Sequence, residues 1–248
     1  MSASPKALPS KAARAELVPQ GKLRVAFPVG SALYVKKDPA TGALSGLSID
    51  IGDELAARLG VPFEAKPYNS VRELMAATGR GEWDLATIVI EQERQALVDY
   101  SRAYLEADST YLVPAASTIR GVADADKPGV RIAVAEKSAF DYFLTRALEQ
   151  ATLVRCPNVS AAIERLRAQE CEAAAAPRQV LAAFQPKLPG SRILDDWFDV
   201  SRVGIAAAKG EKPQGLAYVS EFLSELKSSG WLAQAIARHA MQGAKVAG

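Results

Sequence analysis

Hydrophobic and polar positions follow two rhythms along this chain. Apolar runs of strand length, "KLRVAF" (22–27), "VPFEAKPY" (61–68) and "WDLATIVI" (83–90), alternate with segments of helical spacing. In "LSIDIGDELAARLG" the apolar residues Ile49, Ile51, Leu55 and Leu59 recur at helical intervals, and Gly60 marks the stop. "NSVRELMAATGRG" reads as a second helix, opened by a capping box of Ser70 and Glu73. Such alternation predicts a parallel, doubly wound α/β sheet.

The rhythm then breaks. "ADSTYLVPA" (107–115) is extended with no helix behind it, and "STIRGVADADKPG" (117–129) is a polar loop. Alternation resumes with "VRIAVA", "SAFDYFLTRALEQA", "TLVRC", "NVSAAIERLRAQ" and "CEAAAAP". A second extended run, "VGIAAAKG" (203–210), leads into the helices "QGLAYVSEFLSELKSSG" and "WLAQAIARHAM". Two α/β modules joined by two extended connections predict a cleft between them.

Composition narrows the function classes. The chain has 248 residues, 49% hydrophobic and 23% charged, which is globular rather than disordered. Its net charge of +2 comes from dispersed basic residues, so no nucleic-acid partner is expected. No apolar stretch approaches the roughly 18 residues of a membrane span. Residues 1–21 contain no apolar secretory core and are expected to form a flexible tail. Cys156 and Cys171 frame a strand–helix–strand unit; on parallel strands they fall at opposite ends of the sheet, beyond disulfide reach. They therefore say nothing about the compartment. The single histidine, His239, sits in the last helix, and nothing brings it into a triad or a zinc set. Neither a Walker A sequence nor a G-x-S-x-G elbow is present. No metal or cofactor is expected.

From about Lys22 onward the sequence resembles the bacterial solute-binding proteins of ABC importers, in the amino-acid branch known as family 3. "GLSIDIGDELAARLG" is similar to that family's G-x-x-x-D-[LIV] helix entry, and "ERQALVDYSRAY" to its E-R-x-x-x-V-D-[FY]-S-x-P-Y segment. "VGIAAAKG" with "FLSELKSSGWL" is similar to its return strand and C-terminal helices. The resemblance implies a two-lobed, type II periplasmic-binding-protein-like fold, each lobe a mostly parallel sheet flanked by helices. Lobe 1 would comprise residues 22–106 and 204–248 and lobe 2 residues 107–203, with hinge strands near 104–108 and 199–204. It also implies a monomeric periplasmic protein, not an enzyme, that delivers a small carboxylate-bearing solute to the transmembrane subunits of an ABC permease. Alternatives on the same fold are a cyclohexadienyl dehydratase-like enzyme, with Glu136 and Glu91 as the nearest acids, and a ligand-sensing module.

Candidate ligand contacts follow from the same resemblance. Arg94 matches the arginine that grips the ligand carboxylate, a task suited to its planar fork. The strand before it departs from the family: "TIVIEQER" is shorter, with Val89 and Glu91 in place of threonines and only Thr87 nearby. Lobe 2 departs further. Pro177 stands where the family carries an aspartate for the ligand's ammonium, and Arg178 beside it favours an anion. A carboxylate without an α-amine is therefore expected over a standard α-amino acid. Lys137 and Ser138 would hold an anion at a helix start, although capping with Asp141 alone also explains Ser138. Gly30, Ser31 and Tyr34 follow the first strand, and Asn69 and Ser70 follow the second, where ligands sit in α/β sheets. Helix capping is the rival for Ser70, a surface helix start for Arg178, and core packing for Tyr34 and Phe27. Trp83 and Trp231 are read as structural, and Trp197 as a cleft-lining candidate.

Overall fold

Each half of the chain builds a parallel layer around its own first strand. The structure is a computed structural model that describes residues 8–29, 35–38 and 40–248. In the first half, helix α1 (Lys11–Leu17) precedes strand β1 (Leu23–Pro28), and a short pair, β2 (Lys36–Lys37) and β3 (Leu44–Ser45), leads to α2 (Leu47–Leu59). Then come β4 (Phe63–Tyr68), α3 (Val71–Ala76), β5 (Leu85–Val89) and β6 (Val98–Tyr100). β1 pairs in parallel with both β4 and β5. α2 ends where periodicity placed its stop: Gly60 adopts φ 64, a left-handed turn that only glycine takes without strain.

The second half repeats the plan. The long strand β7 (Leu105–Pro114) enters it, followed by β8 (Arg131–Ala135), α4 (Ala139–Ala147), β9 (Thr152–Cys156), α5 (Val159–Arg167), β10 (Ala173–Pro177) and α6 (Arg178–Phe184). β8 pairs in parallel with β9 and β10. After β11 (Ser191–Ile193), the long strand β12 (Asp199–Ala208) returns to the first half, where α7 (Pro213–Ser228), α8 (Trp231–Arg238) and β13 (Ala244–Val246) complete the chain. β7 and β12 run antiparallel to each other, Ser109 against Asp199 through Leu105 against Val203. β12 continues onto β5 and β7 onto β10, so one curled sheet runs β4-β1-β5-β12-β7-β10-β8-β9.

Helix α4 is shorter than its periodicity suggested. The Asp126 carboxylate accepts the backbone N–H groups of Glu149, Gln150 and Ala151 at 2.8–3.0 Å, which pulls the chain out of the helix. Within the expected flexible tail, Lys11–Leu17 is helical instead, while residues 1–7 lie outside the described residues. Ser10 caps α1, whose Ala13 and Leu17 are buried, and the Glu16 carboxylate accepts Gly215 N–H at 2.7 Å. An i, i+4 apolar pair behind a serine cap was the signal, masked by the surrounding Lys, Arg and Glu.

Of the tryptophans, Trp83 is buried beside Leu74 and Ile88, whereas Trp197 is exposed. Phe27 is fully buried edge-on to Phe63, a packing role. Cys156 and Cys171 are both free, buried thiols. His239 pairs with Asp50 at 2.9 Å, tying α8 to α2.

Candidate functional site

The carboxyl ends of the parallel strands in both halves open onto one hollow. Pro28 ends β1, Val89 ends β5, Ala135 ends β8 and Pro177 ends β10, and all four line it. The hollow holds about 530 Å³, part of it open to solvent. In α/β folds the strand ends are where ligands bind, because the following helices start there with unsatisfied N–H groups. α4 and α5 both begin at this wall, capped by Ser138 and Asn158, whose side chains accept Asp141 N–H at 3.1 Å and Ala161 N–H at 2.9 Å. Each helix start carries a partial positive charge. These helix starts therefore favour an anion, while Glu136 on the same wall carries negative charge.

Arg94 supplies a full charge. It stands on the short 3-10 turn Gln92–Arg94 after β5, lines the hollow, and is 4% exposed. One terminal nitrogen donates to the Val89 carbonyl and the other to the Lys137 carbonyl, both at 2.9 Å. Its guanidinium also lies 5.6 Å from the Tyr142 ring centre, on α4. The arginine thus spans the two halves, anchored to β5 and to the turn before α4, with further N–H donors beyond those two bonds. Next to it Glu91 is pushed up to about 7, chiefly by burial, with Glu93 adding and Arg94 opposing.

The other expected contacts separate into groups. Asn69, Ser70 and Ser138 line the hollow. Ser70 Oγ also accepts Glu73 N–H at 3.2 Å, while Glu73 accepts both the backbone and side-chain N–H of Asn69, so this rim is held rigid from within. Lys137 enters differently from the expectation. Its backbone adopts a left-handed φ of 58, its N–H donates to Asp141 at 2.8 Å, and its carbonyl receives Arg94, while its exposed side chain lines a neighbouring hollow. A non-glycine residue held there costs of the order of 1–3 kcal/mol and is a mark of functional turns.

Arg178 is a correction. Its guanidinium donates to the carbonyls of Leu194, Asp195 and Asp196 at 2.7–3.0 Å, and it does not line the hollow. It fastens the loop before β12 rather than facing a ligand. Trp197, in that loop, does not line the hollow either. Gly30, Ser31 and Tyr34 lie outside the described residues.

Sequence reasoning missed Asn158 and gave Glu136 no part in solute capture. Asn158 had a readable signal, a capping residue between a strand and an apolar-periodic helix, as at Ser138. Glu136 is half-buried on the wall, and its carboxylate has no partner among the described residues.

Residues 23–242 match the family described as bacterial extracellular solute-binding proteins, family 3. A glutamine-binding protein of Geobacillus stearothermophilus is 28% identical over 197 residues, 78% of this chain and 75% of the relative. Among solved structures, an amino acid ABC transporter substrate-binding protein from Streptococcus pneumoniae bound to L-arginine superposes with a TM-score of 0.80 at 21% identity, over 93% of this chain and 98% of that one. An ancestral amino acid-binding protein, a precursor of cyclohexadienyl dehydratase, superposes with a TM-score of 0.79 at 25% identity, over 92% and 98%. The family match covers nearly the whole chain, and the likeness of fold agrees with it: this chain belongs to the bacterial extracellular solute-binding proteins of family 3.

Proposed function

We propose that this protein is the solute-binding component of an ABC importer, acting outside the cytoplasmic membrane, and that it captures a small carboxylate-bearing solute between two lobes. Lobe 1 is residues 22–106 with 204–248 and lobe 2 is residues 107–203, and they move about the paired strands β7 and β12. The observation that carries the reading is the buried Arg94 guanidinium, set between the two halves beside two helix starts. A carboxylate there exchanges water for charge-assisted hydrogen bonds, each contributing about 1.5–3 kcal/mol. The names of the glutamine-binding relatives and of the arginine-bound transporter structure support the transport role and the permease partner.

The solute's other end has two readings. Pro177, where the family places an acid, favours a carboxylate lacking the α-amine. Glu136 favours an amine, because a half-buried carboxylate gains from a cation brought by the ligand. Glutamine and its des-amino analogue glutaramate separate the two in a thermal-shift assay. Ligand at about 100 times its Kd adds about 2.7 kcal/mol of stability. Glu136→Gln should weaken the amine-bearing member alone if Glu136 contacts it.

Arg94→Lys keeps the charge and loses the fork. Affinity for carboxylates should fall about ten- to a hundredfold, the equivalent of about 1.5–3 kcal/mol. Unchanged affinity in a folded Arg94→Lys protein would overturn the proposal. The dehydratase precursor among the similar folds motivates one further check, incubation with prephenate- or arogenate-like acids. Turnover would replace transport with catalysis.

A further inference from the structure

A second, more open hollow adjoins the solute hollow at its mouth. Asn69 and Asn158 line both. Lys36 and Lys37, on the β2 strand of the first half, and Lys187, on the turn after α6 in the second half, line this mouth. Among the described residues, no acidic one lines it. Six lysines elsewhere, Lys22, Lys66, Lys127, Lys209, Lys212 and Lys245, each pair with a carboxylate, whereas Lys11, Lys137 and Lys227 stand singly on other parts of the surface. Lys36, Lys37 and Lys187 have no acid partner among the described residues. The Lys187 ammonium lies 5.7 Å from the ring centre of Phe184, which lines the same mouth.

We infer that the solute carries a second anionic group at the end remote from Arg94, and that Lys36, Lys37 and Lys187 receive it as the cleft closes. This deepens the carboxylate reading and rests on it. Like charges brought together from opposite lobes oppose closure unless an anion lies between them. A dianion removes that repulsion; a ligand with a neutral far end leaves it in place. The inner wall sets the orientation. Glu136 repels a second carboxylate there, so the far group turns outward to the lysines. The substrate class is thus a short dicarboxylate or an acidic amino acid, in preference to its neutral amide.

Glutamate, glutamine, glutarate and glutaramate form a square of probes, varying the amine along one side and the second charge along the other. Isothermal titration of the full chain should show the two members with two carboxylates, glutamate and glutarate, binding about tenfold or more tighter than their amides. The preference should shrink as salt is raised, because exposed charges are screened over about 10 Å at 0.1 M. Combined Lys36→Met, Lys37→Met and Lys187→Met should remove it while leaving amide affinity equal or improved, the amides serving as the control for folding. If the amides bind as tightly as the diacids, or the preference survives loss of the lysines, this inference fails and the Arg94 reading stands. If no member binds, both fail together.

Discussion

Removing the charge of Glu91 should stabilise the protein at alkaline pH and do nothing in acid. Glu91 is half-buried beside Arg94 and is pushed up to about 7, mainly by loss of solvent. Its folded value lies above the ordinary 4.5, so between these limits the folded chain holds a proton that the unfolded chain has released. Stability from this group is full below about pH 4.5, falls as pH rises, and levels off above about 7. At about 1.4 kcal/mol for each pH unit, the whole interval sets a ceiling of about 3.4 kcal/mol. Partial exposure screens the charge and brings this down to about 1–2 kcal/mol. Glu91→Gln mimics the protonated acid at every pH. Thermal melts of wild type and Glu91→Gln at pH 5 and pH 8, without solute, isolate the effect, since every other titrating group cancels in the difference. The variant should match wild type at pH 5 and melt higher at pH 8, by about 2–4 °C for each kcal/mol in a chain of this size. An equal offset at both pH values, or a loss at pH 8, would refute the reasoning.

Two further substitutions separate structural cations from the binding one. Arg178→Met should cost about 1 kcal/mol by removing one donor from the carbonyls of Leu194, Asp195 and Asp196, of which Asp196 keeps its bond from Thr110, yet leave solute affinity unchanged by titration. Asp84→Asn breaks a buried two-point pair with Arg24, at 2.8 and 2.9 Å, and strands that guanidinium in the core. Its urea midpoint should drop by the equivalent of about 3–5 kcal/mol, again without specific loss of binding once folded.

The alternation of strands and helices was legible because it is written in local spacing. A strand repeats every second residue and a helix every three to four, so neighbours in sequence reveal which faces are buried. Ser70, Ser138 and Gly60 were legible for the same reason, since a cap pairs with helix N–H or carbonyl groups within four residues of itself. The helix start at Asn158 is just as local, a capping residue directly before an apolar-periodic helix.

Residues whose partners lie far along the chain were another matter. Arg178 faces either the cleft or the loop at 194–196, and only the path of the chain between α6 and β12 chooses the loop. Lys137 reads as a side-chain cation, yet the left-handed backbone of its turn offers the carbonyl to Arg94 instead. Glu136 stands on the wall because β8 is the central strand of its layer and ends beside β10. The sequence by itself determined the main strands and helices of the two parallel layers, their order, and the arginine that follows β5. Which charges share the cleft was decided by the tertiary structure, because electrostatic neighbours are set by distance in space, and the chain crosses from one half to the other only through β7 and β12.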